Sequence, residues 1–287
     1  MQPLKFFLQL TKVRIGLLIT LSTVTGFVIA SSGSTEGMAG VAVGMFLLSC
    51  GSVALNQYQD REIDMLMERT RRRPIAAGVI GPGDALIISI MLILSGCAVL
   101  FFCTNTTVLL LGLSALFMYN LFYTYLKRKN AFSFLPGAVI GALPPAAGWS
   151  AGGGSLYDPS ILALSFFLFI WQIPHFLLIL LRYRDEYEKA GLPVVTEVFS
   201  VAQLRRILSI WILATVVTSL SLPVYLAVSS RFILLCLVAA ALWLAFETAF
   251  FLKDKGKSPS LRTTILEVNV YALLVLLLLS IDALIYH

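Results

Sequence analysis

Between residues 14 and 286 the chain returns nine times to an apolar run long enough to cross the hydrocarbon core of a bilayer. That recurrence leaves few folds open. In lipid a backbone must satisfy its own polar groups, so such runs become helices or closed barrels. The period-2 alternation of a membrane barrel is absent. The expected fold class is therefore an all-α polytopic membrane protein with nine transmembrane helices. The spans fall at 14–32, 38–57, 85–104, 107–126, 133–151, 160–181, 207–228, 232–252 and 265–286. Residues 1–287 read as a single intramembrane domain, 59% hydrophobic and only 13% charged.

Charge then orients the bundle. With the N-terminus on the cytoplasmic side, every one of the 21 Lys and Arg residues except Arg231 falls in an inner segment, Lys253, Lys255 and Lys257 included. This positive-inside asymmetry predicts a cytoplasmic N-terminus and a periplasmic C-terminus. It also accounts for the net charge of +6 without any nucleic-acid partner. The opening Met-Gln-Pro-Leu-Lys-Phe-Phe has neither a signal-peptide cleavage pattern nor a transit-peptide composition, so a bacterial inner membrane is the expected location. Cys50, Cys97, Cys103 and Cys236 lie in or beside apolar runs and form no C-x-x-C pair; they read as small buried hydrophobes.

The charges the chain does carry are concentrated. Nine of the nineteen residues from Asn56 to Pro74 are ionic, directly after the apolar run 41–55. Asn56, Asp60 and Asp64 are spaced i, i+4, i+8, which places three oxygen-bearing side chains on one helix face. Oxygen-only donors of this kind suit Mg2+ better than zinc or copper. Arg69, Arg71, Arg72 and Arg73 follow within about two turns and can hold an anion that the metal also touches. Together they read as a metal–diphosphate site at a membrane surface. A solvated loop serving only topology would leave the alignment of the Asn and Asp residues unexplained.

The second long inner loop, after span 6, carries most of the remaining acids. Both acidic loops follow the second helix of a quartet when spans 1–4 and 5–8 are counted together, which suggests two pseudo-repeated four-helix quartets plus one last helix. Asp185, Glu186 and Glu188 can complete the metal site from across the bundle, with Asp185 the expected additional ligand. His175 lies inside span 6 after Pro174; it is a packing residue or a functional one facing the same inner end. Glu247, an acid inside span 8, reads as a helix-pairing residue. Tyr119, Tyr123 and Tyr125 with Asn120, Lys127 and Arg128 close span 4, either as an interfacial belt or as part of the site. Span 5 is small-faced and holds Pro144-Pro145. A broken helix lining a cavity for a planar macrocycle or a prenyl chain is expected there.

At this point the residues resemble a known family. N-x-x-x-D-R-E-I-D-x-x-M-x-R-T-x-x-R-P is carried by Asn56, Asp60 to Asp64, Met67, Arg69, Thr70, Arg73 and Pro74. It is similar to the first signature of the protohaem IX farnesyltransferases, members of the UbiA superfamily of intramembrane prenyltransferases. Leu10-Thr11-Lys12-x-Arg14, Tyr123-Thr124-x-Leu126-Lys127-Arg128, Pro144-Pro145-x-x-Gly148-Trp149, Trp171-x-x-Pro174-His175-Phe176 and Tyr187-x-x-Ala190-Gly191-x-Pro193 extend the resemblance over nearly the whole chain. The chain departs from the pattern at Val13 and Ile173, where the family has Pro, and at Glu186, where it has Asp. Tyr183 and Tyr187 stand where quinone-type members carry a second D-x-x-x-D.

The resemblance implies Mg2+-dependent farnesyl transfer from farnesyl diphosphate to a vinyl group of haem B, in the lipid bilayer, with haem A synthase or an oxidase under assembly as partner. Asn56, Asp60, Asp64 and Asp185 would hold metal. The arginines would hold diphosphate, and Lys127 and Arg128 would take diphosphate or the haem propionates. His175 would ligate the haem iron or steer the water that ends the reaction. A quinone-type prenyltransferase is the competing reading, since it shares the metal site and has no need of His175. A transporter would gather its polar residues near the bilayer midplane, and the D-G-x-x-A-R signature of a CDP-alcohol phosphotransferase is missing.

Overall fold

The computed structural model describes residues 2–253 and 261–286, so Lys255, Lys257 and the terminal His287 lie outside the described residues. A short helix α1 (Gln2–Thr11) precedes α2 (Val13–Ala30) and α3 (Met38–Gln59), and the brief α4 (Arg61–Leu66) continues from α3. Then come α5 (Pro82–Cys103) and α6 (Thr106–Phe117), which runs through a π-helical turn (Met118–Tyr123) into α7 (Thr124–Leu126). The second half holds α8 (Phe134–Ala151), α9 (Pro159–Arg182), the short α10 (Arg184–Lys189), α11 (Val201–Tyr225), α12 (Arg231–Lys253) and α13 (Leu261–Tyr286). Among the described residues there is no strand.

Each expected span is a helix, and eight of the long helices are apolar enough to cross a membrane. The segment outside that group is α8, whose glycines, prolines, Trp149 and Ser150 lower its hydropathy. Helix ends run past the apolar runs where capping continues them. α11 begins at Val201 rather than 207 because Ser200 and Gln203 form a capping box: the Ser200 hydroxyl accepts from the Gln203 backbone N–H at 3.3 Å, and the Gln203 side-chain Oε1 accepts from the Ser200 N–H at 2.9 Å. α1 lies outside the expected spans. Its C-terminal carbonyls, which no helix satisfies internally, accept from the Gln57 amide, at 3.0 Å for Gln9 and 2.6 Å for Leu10.

The long helices close a ring. Each packs on the next in the order α2, α3, α5, α6, α8, α9, α11, α12, α13, and α13 returns to α2. The seam between α2 and α8, the first helices of the two quartets, is built backbone against backbone. A Cβ on Gly26 would lie 2.1 Å from the Pro145 carbonyl oxygen, and one on Gly148 would lie 1.7 Å from that of Thr23. Small residues permit this approach. Pro144 and Pro145 do not break α8, contrary to the sequence expectation; they are buried inside one continuous helix. Only two donors are lost there, and in lipid every alternative to the helix would orphan more. The small face serves close packing. The four cysteines are free. Glu247 is half-buried, with Glu267 of α13 among its electrostatic neighbours.

Candidate functional site

α3 ends at a kink rather than a stop. Asp60 leaves helical geometry (φ −93°, ψ 2°), yet its N–H donates to the Asn56 carbonyl at 2.9 Å and its carbonyl accepts from Asp64 N–H at 2.8 Å. Helical register therefore survives the kink. Asn56, Asp60 and Asp64 stay together and are buried, at 3%, 3% and 4% exposure. The Asn56 amide donates to Asp60 Oδ2 at 3.0 Å and to Thr124 Oγ1 at 2.9 Å. The Tyr119 hydroxyl donates to Asn56 Oδ1 at 3.3 Å.

Buried carboxylates need partners, and both have cations. Lys127 and Arg128 pair with Asp60, the guanidinium at 3.2 Å from Oδ1; Arg128 also donates to the Gln59 carbonyl at 2.6 Å. Arg73 donates to both oxygens of Asp64, at 2.8 and 2.7 Å. The turn that returns Arg73 is held by Thr70, whose hydroxyl donates to the Asp64 carbonyl at 3.0 Å. Arg71 and Arg72 stay on the surface, where Arg71 pairs with Glu68 at 3.3 Å.

The second acidic loop meets the first through Glu186 and Tyr183. Glu186 Oε2 accepts from the Arg69 N–H at 2.9 Å, and the Arg69 guanidinium sits over the Tyr183 ring at 4.7 Å. Tyr187 faces the site too: burial raises its hydroxyl above the usual range, with Asp60 and Asp64 pushing the same way and Arg69 and Arg73 opposing. Asp185, the expected metal ligand of this loop, is instead 74% exposed and pairs with its neighbour Arg184 at 2.9 Å. One step along α10 rotates a side chain by about a quarter of a turn or more, which is enough to bring in Glu186 and leave Asp185 in solvent. Among the described residues no three His, Cys, Asp or Glu side chains converge on one point. This donor set fits Mg2+, which is held by one or two carboxylates completed by substrate phosphates.

From Asn56 an aromatic run leads into the bundle. Tyr119 stacks on Tyr123 (centroids 5.8 Å apart, planes 10° apart), Tyr123 meets Phe176 at 5.8 Å, and Phe176 meets His175 at 5.7 Å. His175 thus stands at the far end of this run, its Nδ1 2.7 Å from Asn269 Oδ1. A cavity of about 30 Å³ between Tyr123, Lys127, Phe176 and Tyr187 lies along it.

Two members of this site, Gln59 and Lys12, had no mark as site residues in the sequence pattern. Thr124, Asn120 and Gln59 brace the carboxylates: Asn120 accepts from Ser52 at 2.6 Å and donates to Gln59 at 3.1 Å. Lys12 is the clearest case, quoted in a motif above and counted only as topology. Burial and the nearby Arg73 lower its ammonium from 10.5 to about 7, with Asp64 opposing and Arg69 and Lys127 adding to the shift. Without ligand, the folded chain releases the Lys12 proton near pH 7 while the unfolded chain keeps it to about 10.5. The unfolded state therefore binds more protons in that window, and stability rises with pH across it. Lys12→Met is expected to flatten that rise in thermal melts of the ligand-free protein; a slope unchanged by the substitution would show Lys12 to be solvated.

Three comparisons bear on this arrangement. A family model described as the UbiA prenyltransferase family matches residues 19–279. A protein of Oleidesulfovibrio alaskensis named protoheme IX farnesyltransferase is 33% identical over 277 residues, covering 96% of each chain. Among solved structures, one titled for digeranylgeranylglyceryl phosphate synthase superposes with a TM-score of 0.77 at 17% identity, over 99% of each chain. A UbiA homolog from Archaeoglobus fulgidus bound to GPP and Mg2+ gives 0.70 at 17%, over 97% of this chain and 99% of that one.

Proposed function

The chain belongs to the UbiA prenyltransferase family, and from that premise we propose that it transfers a farnesyl group from farnesyl diphosphate to a vinyl group of haem B. The products are haem O and diphosphate. The observation that carries the reading is the buried pair Asp60 and Asp64, ringed by Lys127, Arg128, Arg73 and Lys12, at the mouth of an aromatic run that ends on His175.

Asn56, Asp60 and Asp64 would hold Mg2+, which supplies charge neutralisation to the departing diphosphate. Arg73, Lys127 and Lys12 receive the diphosphate oxygens, Arg73 with a planar fork and the lysines as point charges. Tyr119 and Tyr123, stacked beside Asn56, present ring faces that stabilise an allylic cation by cation–π attraction while Phe176 keeps water out. The electron-rich vinyl group attacks this cation. We place the protein in a bacterial inner membrane, N-terminus cytoplasmic and C-terminus periplasmic, so that the site opens to the cytoplasm, with haem A synthase or an oxidase as the recipient of product.

The acceptor is the point to test. Membranes carrying the protein, given labelled farnesyl diphosphate and Mg2+, are expected to convert haem B to a more hydrophobic haem and to leave 4-hydroxybenzoate untouched. His175→Ala is expected to keep farnesyl diphosphate binding and to lose haem O. Prenylated 4-hydroxybenzoate with unchanged haem would make the protein a quinone-type enzyme.

A further inference from the structure

Two hydrogen-bond acceptors one helical turn apart on α9 lack a donor. Gln172 Oε1 is buried and has no partner. The Gln172 side chain packs against α8, where a Cβ on Gly141 would meet its amide nitrogen at 2.2 Å. His175, three residues on, shares the face. Its Nδ1 lies 2.7 Å from Asn269 Oδ1. An amide oxygen only accepts, so the ring proton sits on Nδ1 and Nε2 carries a lone pair. No hydrogen bond to Nε2 is formed among the described residues. The ring is further fixed by Trp171, 5.2 Å away, whose indole N–H donates to the Val268 carbonyl at 3.0 Å. Asn269 and Val268 both belong to α13, so one helix sets the ring's direction and its tautomer.

A buried acceptor such as Gln172 Oε1 is normally satisfied, by protein or by ordered water, and the half-buried His175 offers Nε2 one turn along the same helix. Side chains at i and i+3 stand about 5–6 Å apart at Cβ, a gap one water can bridge. Water has two O–H donors, and these two acceptors take both.

Resting on the proposed haem farnesylation, we infer that Gln172 and His175 hold the water that ends the reaction, with Asn269 as the positioning residue that keeps His175 Nε2 a base. The steps balance. The farnesyl C1–O bond breaks and diphosphate leaves with its electron pair. C1 bonds to the terminal vinyl carbon, and the positive charge moves to the inner vinyl carbon beside the macrocycle. The water oxygen bonds to that carbon as its proton passes to His175 Nε2, leaving the hydroxyethylfarnesyl arm. Without a placed water and base, the same cation loses a carbon-bound proton and gives an alkene.

The product therefore reports the site. In ¹⁸O-labelled water the wild type is expected to place label in the new hydroxyl. Q172L and N269L are expected to raise the ratio of dehydrated to hydroxylated product by about tenfold or more, at the low end of the ~10²–10⁴ a positioned base supplies. Farnesyl diphosphate binding in the same preparations checks that they are folded. N269D and Q172E keep an acceptor in place and are expected to restore the hydroxylated product, which a merely structural role would not predict. Wild-type product ratios in both leucine variants would overturn the water site alone. So would a haem Soret band that shifts on binding to wild type and not to His175→Ala, since Nε2 would then be on iron. Wild type that makes no farnesyl haem would overturn the underlying reading first.

Discussion

Asp60→Asn and Asp64→Asn are each expected to abolish measurable transfer while leaving the protein folded in the membrane. The substitution keeps the shape and one oxygen but removes the charge that a divalent cation needs. By analogy with the loss of a single transition-state-stabilising donor, each should cost at least ~2.7–4 kcal/mol, or about 10²–10³ in rate. The two are not equivalent in the resting protein. Asp64→Asn leaves Arg73 without its buried counter-ion beside the already crowded Lys12, whereas Asp60→Asn leaves both Lys127 and Arg128 facing a neutral amide. Single-turnover rates at saturating Mg2+, with thermal midpoints on the same samples, separate chemistry from folding. Activity within about threefold of the parent, or full activity in excess chelator, would refute the metal–diphosphate assignment.

The largest expected effect on stability belongs to Gly148→Ala. The added carbon would sit 1.7 Å from the Thr23 carbonyl oxygen, 2.7 Å from its carbon and 2.9 Å from the Phe27 nitrogen. All three are backbone atoms of α2, so no rotamer change relieves the clash and the helices must part. Overpacking that side chains can absorb costs roughly 1–3 kcal/mol, and this case should exceed that range. At about 2–4 °C per kcal/mol for a domain approaching this size, the thermal midpoint in detergent should fall by about 6 °C or more. Gly83→Ala, where nothing lies within 4 Å, is the control and should be neutral. A Gly148→Ala midpoint within a degree or so of the parent would mean that α2 and α8 do not pack as described.

How far the sequence alone revealed this follows from the range of the interactions involved. The spans were legible because lipid allows a backbone few options, and Asn56, Asp60 and Asp64 were legible because one helical register carries all three through the kink at Asp60. The choice among Arg71, Arg72 and Arg73 was not, since it depends on how the turn from Met67 to Arg73 folds back, with Arg71 N–H on the Met67 carbonyl at 2.8 Å. Asp185 and Glu186 differ by one step of a short helix whose rotation is set by Arg69, over a hundred residues away in the chain. Lys12 and Asn269 reach their places through packing between distant helices, which leaves no spacing to read. The Pro-Pro pair misled for a related reason. A dipeptide that ends helices in water is retained inside one here, where lipid and α2 leave its backbone nothing else to bond.

The resting ion pairs bear on how the protein takes up its ligands. Asp60 and Asp64 are already paired with three cations, Lys127, Arg128 and Arg73, so a metal ion arriving alone would have to displace cations that then face one another in a buried site. Arriving with a diphosphate, it brings the anion to which those cations can turn. The two ligands should therefore bind with positive coupling, Mg2+ raising the affinity for the prenyl diphosphate by some factor and the prenyl diphosphate raising that for Mg2+ by the same one, as linkage requires.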